Sequence, residues 1–182
     1  MQLENEFNQS FWDVRWENNQ TGWDIGEPSP AITTYLAQYS DKNTAILISG
    51  CGNAHEAGWL LKNGFTNITL IDIAPKAVDI LKEKFALKPQ VKILCEDFFE
   101  HNGNYDLIIE QTFFCAIPPE RRTEYVDKMT AILNQNGRII GVLFNIEFNQ
   151  QLPPFGGSIT EYKQLFETKF IIKKMDDCYY SK

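Results

Sequence analysis

Apolar residues fall along this chain in short runs separated by amphipathic stretches. Residues 45–49 (AILIS) and 68–71 (ITLI) have the length and composition of buried parallel strands, and 91–95 (VKILC) and 105–110 (YDLIIE) read as a third and a fourth strand. Between them lie stretches with helix signals. One opens near Asn53 and closes at Gly64; another starts at Pro75 and runs to about Phe85; a third starts at Pro118-Pro119 and reaches Leu133, with Asn136-Gly137 as its stop. A fifth strand is predicted over 138–145 and a sixth over 170–175, with a helix from the cap Ser158-x-x-Glu161 to Phe166 between them. Ahead of the first strand, Ser10 with Asp13 reads as a variant capping box. It opens a short helix carrying Phe11, Trp12, Val14 and Trp16. A turn over 21–26 follows, and Ser29-Pro30 then starts a helix to about Tyr39. Strand–helix alternation of this kind predicts an α/β fold, a doubly wound Rossmann-like sheet, mostly parallel, with helices on both faces. Residues 1–182 form a single domain on this reading, with 1–43 as a helical arm and 44–182 as the core. The arm either packs on the sheet or folds over a ligand as a lid, with Trp12, Trp16 and Trp23 as its inner face.

The chemistry concentrates in residues 45–72, AILISGCGNAHEAGWLLKNGFTNITLID. Gly50-Cys51-Gly52 follows the first strand directly, and Asp72 ends the second. A glycine turn allows close approach of a ligand, a helix N-terminus offers free N–H groups, and a carboxylate at this position can accept from both hydroxyls of a ribose. A dinucleotide site would show G-x-G-x-x-G, but His55 occupies the third glycine position. A P-loop would need GK[ST], which is absent. S-adenosylmethionine has no phosphates to cradle, and Asp97 with Phe98, after the third strand in CEDFF, is placed to meet an adenine. These features favour S-adenosylmethionine over a dinucleotide, which stays open as a weaker alternative.

Composition narrows the partners. With 17 Lys and Arg against 24 Asp and Glu, the net charge of −7 disfavours nucleic acid and anionic membrane surfaces. No apolar stretch approaches the ~20 residues of a membrane span. The N-terminus lacks the pattern of a signal peptide, so a cytoplasmic protein is expected. The four cysteines (Cys51, Cys95, Cys115, Cys178) show no metal-ligand spacing and read as small buried thiols, so no metal is expected. His55 and His101 have no orienting partner evident in the sequence, so neither reads as a catalytic base. Arg121 and Arg122 read as a solvated helix face.

FWDVRWENNQTGWDIGEPSPAI, ILISGCGNAHEAGWL, LIDIAP, CEDFF and YDLIIEQTFFCAIPPERR, with the later PPFGGS, resemble the thiopurine S-methyltransferase family. The likeness runs from Phe11 to about Met175 and is greatest to the bacterial and plant branch of thiol and halide methyltransferases. The resemblance implies a class I methyltransferase that uses S-adenosylmethionine, leaves S-adenosylhomocysteine, and methylates a small soft nucleophile (thiol, sulfide, halide or thiocyanate). It also implies site roles by motif position. Trp12, Trp16 and Trp23 would line the cofactor, with Gly50 and Gly52 at its methionine end. Asp72 and Ile73 would meet the ribose, and Asp97 and Phe98 the adenine. Gln111 would lie beside the sulfonium, and Trp23, Gln111, Phe113 and Phe114 would form the acceptor side, with one of the two phenylalanines in core packing. Gln111 stands where relatives carry tyrosine or arginine, which keeps hydrogen bonding but not positive charge. No dedicated general base is implied, because such nucleophiles are largely or partly ionised already. The acceptor is a small molecule on this reading, and the chain a monomer or weak dimer. After the sixth strand only residues 178–182 remain, so a last antiparallel strand is either vestigial or supplied another way, for instance by another chain. A protein that binds the cofactor without turnover, as a sensor or interaction module, is the competing class.

Overall fold

Five parallel strands pair in the order β3-β2-β1-β4-β5 in the computed structural model, which describes residues 7–179. The strands are β1 (Ile46–Ser49), β2 (Ile68–Asp72), β3 (Val91–Cys95), β4 (Tyr105–Gln111) and β5 (Leu133–Val142). The helices are α1 (Gln9–Glu17), α2 (Pro30–Leu36), α3 (His55–Lys62), α4 (Pro75–Lys84), α5 (Arg122–Ile132) and α6 (Ile159–Phe166). Residue alternation sorts the core onto the two faces of the sheet. Ile46, Ile48, Leu107 and Ile109 pack with Ile32 and Leu36 of α2, Leu60 of α3 and Leu81 of α4. Leu47 and Ile108 pack on the other side with Tyr125 and Met129 of α5 and Phe166 of α6. Burial from both sides is why the central strands β1, β2 and β4 are almost unbroken apolar runs, whereas β3 and β5 at the edges are partly exposed and carry polar residues. The chain order reverses where β1 lies beside β4, in register Ile46↔Leu107 and Ile48↔Ile109. The carboxyl ends of these two strands therefore open a crevice, and the residues delivered there are Gly50 and Gln111.

Several expectations are corrected. The predicted strand at 170–175 is not a strand: a strand exists only where a ladder partner takes its backbone groups, and Phe170, Ile172 and Met175 instead pack as irregular chain against the second core cluster. Tyr180, Ser181 and Lys182, part of the terminal stretch in question, lie outside the described residues. The fifth strand starts earlier than predicted, at Leu133, and ends at Val142 rather than at 145. Asn136-Gly137 is not a stop but an irregularity inside it, with Asn136 at φ +65° and the register slipping between Tyr105 and Leu107. Helix α5 begins at Arg122, after a single 3-10 turn at Pro119–Arg121.

The arm is also capped differently. Asn8, not Ser10, caps α1, its side chain accepting from Phe11 N at 3.1 Å. Asp13 instead reaches across to α4, where its carboxylate accepts from Lys76 N at 2.7 Å. The N-cap residue of α4 is Ala74, which has no side-chain acceptor, so the free N–H groups of that helix find a partner in the arm. Ser158 caps α6 as expected, accepting from Glu161 N at 3.2 Å. Arg122, expected to be solvated, is only 3 % exposed. It donates to Glu161 Oε1 at 2.6 Å and to Gly156 O at 2.7 Å, and lies over the ring of Phe114. Among the described residues no helix is long and apolar enough to cross a membrane.

Candidate active site

The turn after β1 places three alternate positions in the left-handed region: Gly50 at φ +53°, Gly52 at +49° and Ala54 at +46°. Gly50 is required there for a second reason. A Cβ at this residue would come within 2.2 Å of Phe113 Cδ2, so the ring of Phe113 fills the space that a side chain would need. At Gly52 the space is bounded more loosely, by Trp16 at 3.5 Å and the indole nitrogen of Trp23 at 3.9 Å from a built Cβ.

Asp72, at the tip of β2, is 8 % exposed and borders the cleft. Its Oδ2 accepts from Gly52 N and its Oδ1 from Ala74 N, both at 3.0 Å. Burial raises its carboxyl above the ordinary value, and the backbone donors only partly offset that. An ionised carboxylate has about four acceptor sites, so two backbone bonds leave capacity for two hydroxyls of a ligand. Trp16 is buried against Ala74 and Ala77, with Trp12 and Trp23 alongside. Trp23 meets Trp12 edge to face at 5.6 Å and Trp16 at 6.1 Å between centroids. The indoles pack the arm on the fold and border the cleft.

On the far side, Asp97 holds its own turn by accepting from Phe99 N at 2.9 Å. Phe98 is buried, its ring against Phe99, Phe113 and Tyr125, so it forms the floor of the cleft rather than a free-standing plate. Gln111 ends β4, and its Oε1 is buried with no hydrogen-bond partner in the protein. Thr112 follows at φ +59°. Of the two phenylalanines, Phe114 is the core residue, packed on Tyr125, Tyr162 and Phe166, and Phe113 is the one laid over the glycine turn. Trp12, Trp16, Trp23, Gly50, Gly52, Asp72, Ile73, Asp97, Phe98, Gln111, Phe113 and Phe114 all border one continuous cleft. Its spare carboxylate capacity, unpartnered amide oxygen and indole wall fit the hydroxyls, polar groups and cation of a sulfonium nucleoside.

Two features escaped the sequence reading. His55 does have a partner: its Nε2 lies 2.7 Å from Asp24 Oδ1. Asp24 also accepts from Gly26 N at 2.7 Å and from Asn53 Nδ2. Burial alone would raise the Asp24 carboxyl, but these donors outweigh it and hold the group below its ordinary value. Asp24 thus fastens the arm to the glycine turn. The departure from a third glycine at position 55 was its signal. His101 likewise pairs with Glu96, and with Tyr105 Oη at 2.8 Å, bracing the link between β3 and β4. The cysteines are held as thiols at the site: burial pushes Cys51 well up and Cys115 to about 12.

A parallel sheet with this strand order, a glycine turn after β1 and an acid ending β2 is an architecture that the class I, S-adenosylmethionine-dependent methyltransferases share with dinucleotide-binding folds. A solved Burkholderia thailandensis 1,6-didemethyltoxoflavin-N1-methyltransferase shares the fold at a TM-score of 0.69 with 16 % identity, over 88 % of this chain and 75 % of that one. Residues 7–180 match the family described as thiopurine S-methyltransferase (TPMT), and the chain belongs to that family. A probable thiol methyltransferase 2 of Arabidopsis thaliana is 32 % identical over 159 residues, which cover 85 % of this chain and 70 % of the relative. A thiopurine S-methyltransferase of Aliivibrio fischeri is 27 % identical over 184 residues, 92 % of this chain and 86 % of the relative. The chain is therefore a methyltransferase that uses S-adenosylmethionine, and no finding favours the binding-only alternative.

Proposed function

We propose that the chain methylates a small soft nucleophile (a thiol, sulfide, halide or thiocyanate), with the acceptor lying between Gln111, Phe113 and Trp23. The observation that carries this reading is the arrangement around Asp72, a buried carboxylate with acceptor capacity to spare, facing a cleft walled by Trp12, Trp16 and Trp23. S-adenosylmethionine, when bound, supplies a methyl group already activated on a sulfonium for in-line displacement. Asp72, with Ile73 beside it, binds the ribose, and Asp97 with the floor residue Phe98 receives the adenine. Gly50 and Gly52 give the methionine end room to approach. The three indoles hold the positive charge by cation–π attraction of roughly 0.5–2 kcal/mol and exclude water. Gln111 turns a polar group toward the reacting region, and its unpartnered Oε1 is available to a donor there. Phe114 supports the acceptor wall from the core.

No residue has to remove a proton. Halides and thiocyanate are anions, and an ordinary thiol with a pKa of about 8.5 is a few per cent thiolate at neutral pH. Aligning nucleophile and methyl is the remaining task, and rigid aromatic walls perform it. The same reading takes residues 1–182 as one domain whose 1–43 arm covers the site, acting in the cytoplasm as a monomer or weak dimer. A small-molecule acceptor rather than nucleic acid follows from the net charge of −7. The test is a panel of thiocyanate, iodide, hydrosulfide, aromatic thiols and a thiopurine, scored for S-adenosylhomocysteine release. Turnover on at least one soft nucleophile and none on phenols or amines is expected; methylation of oxygen or nitrogen acceptors alone would overturn the reading.

A further inference from the structure

Glu110 is 3 % exposed, borders the cleft, and has no part in the roles above. Its Oε1 accepts from the backbone N–H groups of both Phe113 and Phe114, at 2.9 and 2.8 Å. Its Oε2 accepts from the hydroxyl of Tyr125 on α5, at 2.7 Å. One carboxylate therefore ties together the end of β4, the turn that leaves it, and a core helix. The turn needs such a tie. Thr112 sits at φ +59°, a region that a β-branched residue strongly disfavours, so the chain would relax out of it without an anchor. What the anchor sets in place is Phe113, whose ring lies over Gly50 and edge to face on Phe98 at 5.1 Å.

We infer that Glu110 is a positioning residue for the methyl acceptor, fixing the 112–115 turn through two backbone N–H groups and so holding the Phe113 ring against the glycine turn. This rests on the proposed placement of the acceptor beside Gln111 and Phe113. The ribose contact of Asp72 lies on another strand; Phe113 touches Gly50 and Phe98 only by ring contact, so cofactor binding should suffer much less than acceptor binding. Glutamine at position 110 can keep the hold, because its amide oxygen accepts both N–H groups and its NH2 donates to the Tyr125 oxygen. Alanine strands all three donors. Two titratable groups face Glu110: Tyr125 from α5 and the Cys115 thiol from the turn. Burial pushes both up, so both are neutral near pH 7 and neither offers a counter-charge; the Arg122 guanidinium faces Cys115. Burial likewise raises the Glu110 carboxyl to about 7. A proton taken up on Oε2, toward Tyr125, leaves Oε1 accepting both N–H groups but removes the charge that strengthens those bonds, so acceptor use should carry a shallow ionisation near neutrality.

The experiment compares wild type, Glu110→Ala, Glu110→Gln and Tyr125→Phe in the full chain. The readouts are amide hydrogen exchange at Phe113 and Phe114 in the ligand-free protein, S-adenosylhomocysteine affinity by calorimetry, and kcat and KM for thiocyanate, which does not titrate near neutrality. Glu110→Ala is expected to speed exchange at both amides by roughly tenfold or more and raise the thiocyanate KM by a similar factor, with cofactor affinity within about twofold. Glu110→Gln should restore protection and KM to the level of wild type at acid pH, far closer to wild type than alanine, while abolishing the inflection in kcat/KM near pH 7. Tyr125→Phe, which keeps the carboxylate and stands in if the alanine variant does not fold, should move that inflection to higher pH. The inference is overturned if the glutamine variant is as impaired as alanine, if both inflections stay where they are in wild type, or if cofactor affinity falls in parallel with KM. Wild-type protein that binds S-adenosylhomocysteine but transfers to no acceptor would refute the functional reading and the acceptor role with it. Exchange at Phe113 and Phe114 would then still report whether Glu110 holds the turn.

Discussion

Replacing Asp72 by alanine or asparagine separates what this carboxylate does for the ligand from what it does for the fold. In the free protein the side chain accepts one backbone N–H on each oxygen, from Gly52 and Ala74, each at 3.0 Å. Alanine strands both donors, at about 1–3 kcal/mol for each one left buried and unpaired. Against that loss stands a gain. Burial holds the carboxyl above its ordinary value, so the fold carries an ionised group at a cost that alanine removes. Asparagine keeps one acceptor oxygen and turns an NH2 toward one of the two donors, so its stability should lie between wild type and alanine. No such compensation exists for the ligand. A charge-assisted hydrogen bond contributes about 1.5–3 kcal/mol, which weakens binding roughly tenfold to a hundredfold when it is lost. Calorimetric titration with S-adenosylhomocysteine should therefore show a far larger change for Asp72→Ala than urea unfolding does. A dissociation constant within about twofold of wild type in a folded variant would refute the ribose role.

Glu110→Gln should also alter stability in a pH-dependent way. The folded chain holds this carboxyl at about 7 against an ordinary 4.5, so its favourable contribution is complete below 4.5 and is lost as pH rises through 7. The gap corresponds to about 3 kcal/mol, so the variant should gain on wild type by that order between acid and alkaline urea titrations, and a constant difference would refute the assignment. Gly50→Ala forces an L-residue into φ +53° and drives its Cβ into Phe113, so a loss of roughly 2 kcal/mol or more is expected by thermal unfolding. An unchanged melting temperature would show that the turn and ring shift freely. Asp24→Asn removes the charge that His55, Asn53 and Gly26 share, and hydrogen exchange over residues 20–27 should accelerate. Unaltered exchange there would mean that the indole cluster alone fastens the arm.

Much of this site was legible before folding because its signals are local. A glycine turn between two buried strands and an acid closing the second can be read from spacing, since neighbours along the chain are neighbours at a strand end. The sheet, its parallel sense and most helix positions follow from the length and continuity of the apolar runs. The signals that failed are those whose partner is remote. Asp13 looked like a cap for its own helix and serves α4, 63 residues away. Arg122 looked solvated and is enclosed by Gly156 and Glu161, 34 and 39 positions along. Residues 170–175 have strand composition but no edge that takes their backbone groups.

The site divides along the same line. Sequence alone determined that a glycine turn follows β1, which acid ends β2, and which aromatic residues accompany them, because residue type and short-range spacing carry that information. Tertiary structure decided which ring does what: Phe113 over Gly50, Phe114 in the core, and Glu110 holding both through their backbone. It also paired His55 with Asp24 across 31 positions. Those assignments depend on where distant segments meet, and a backbone N–H or a buried carboxylate gains its meaning only from the group that comes to face it.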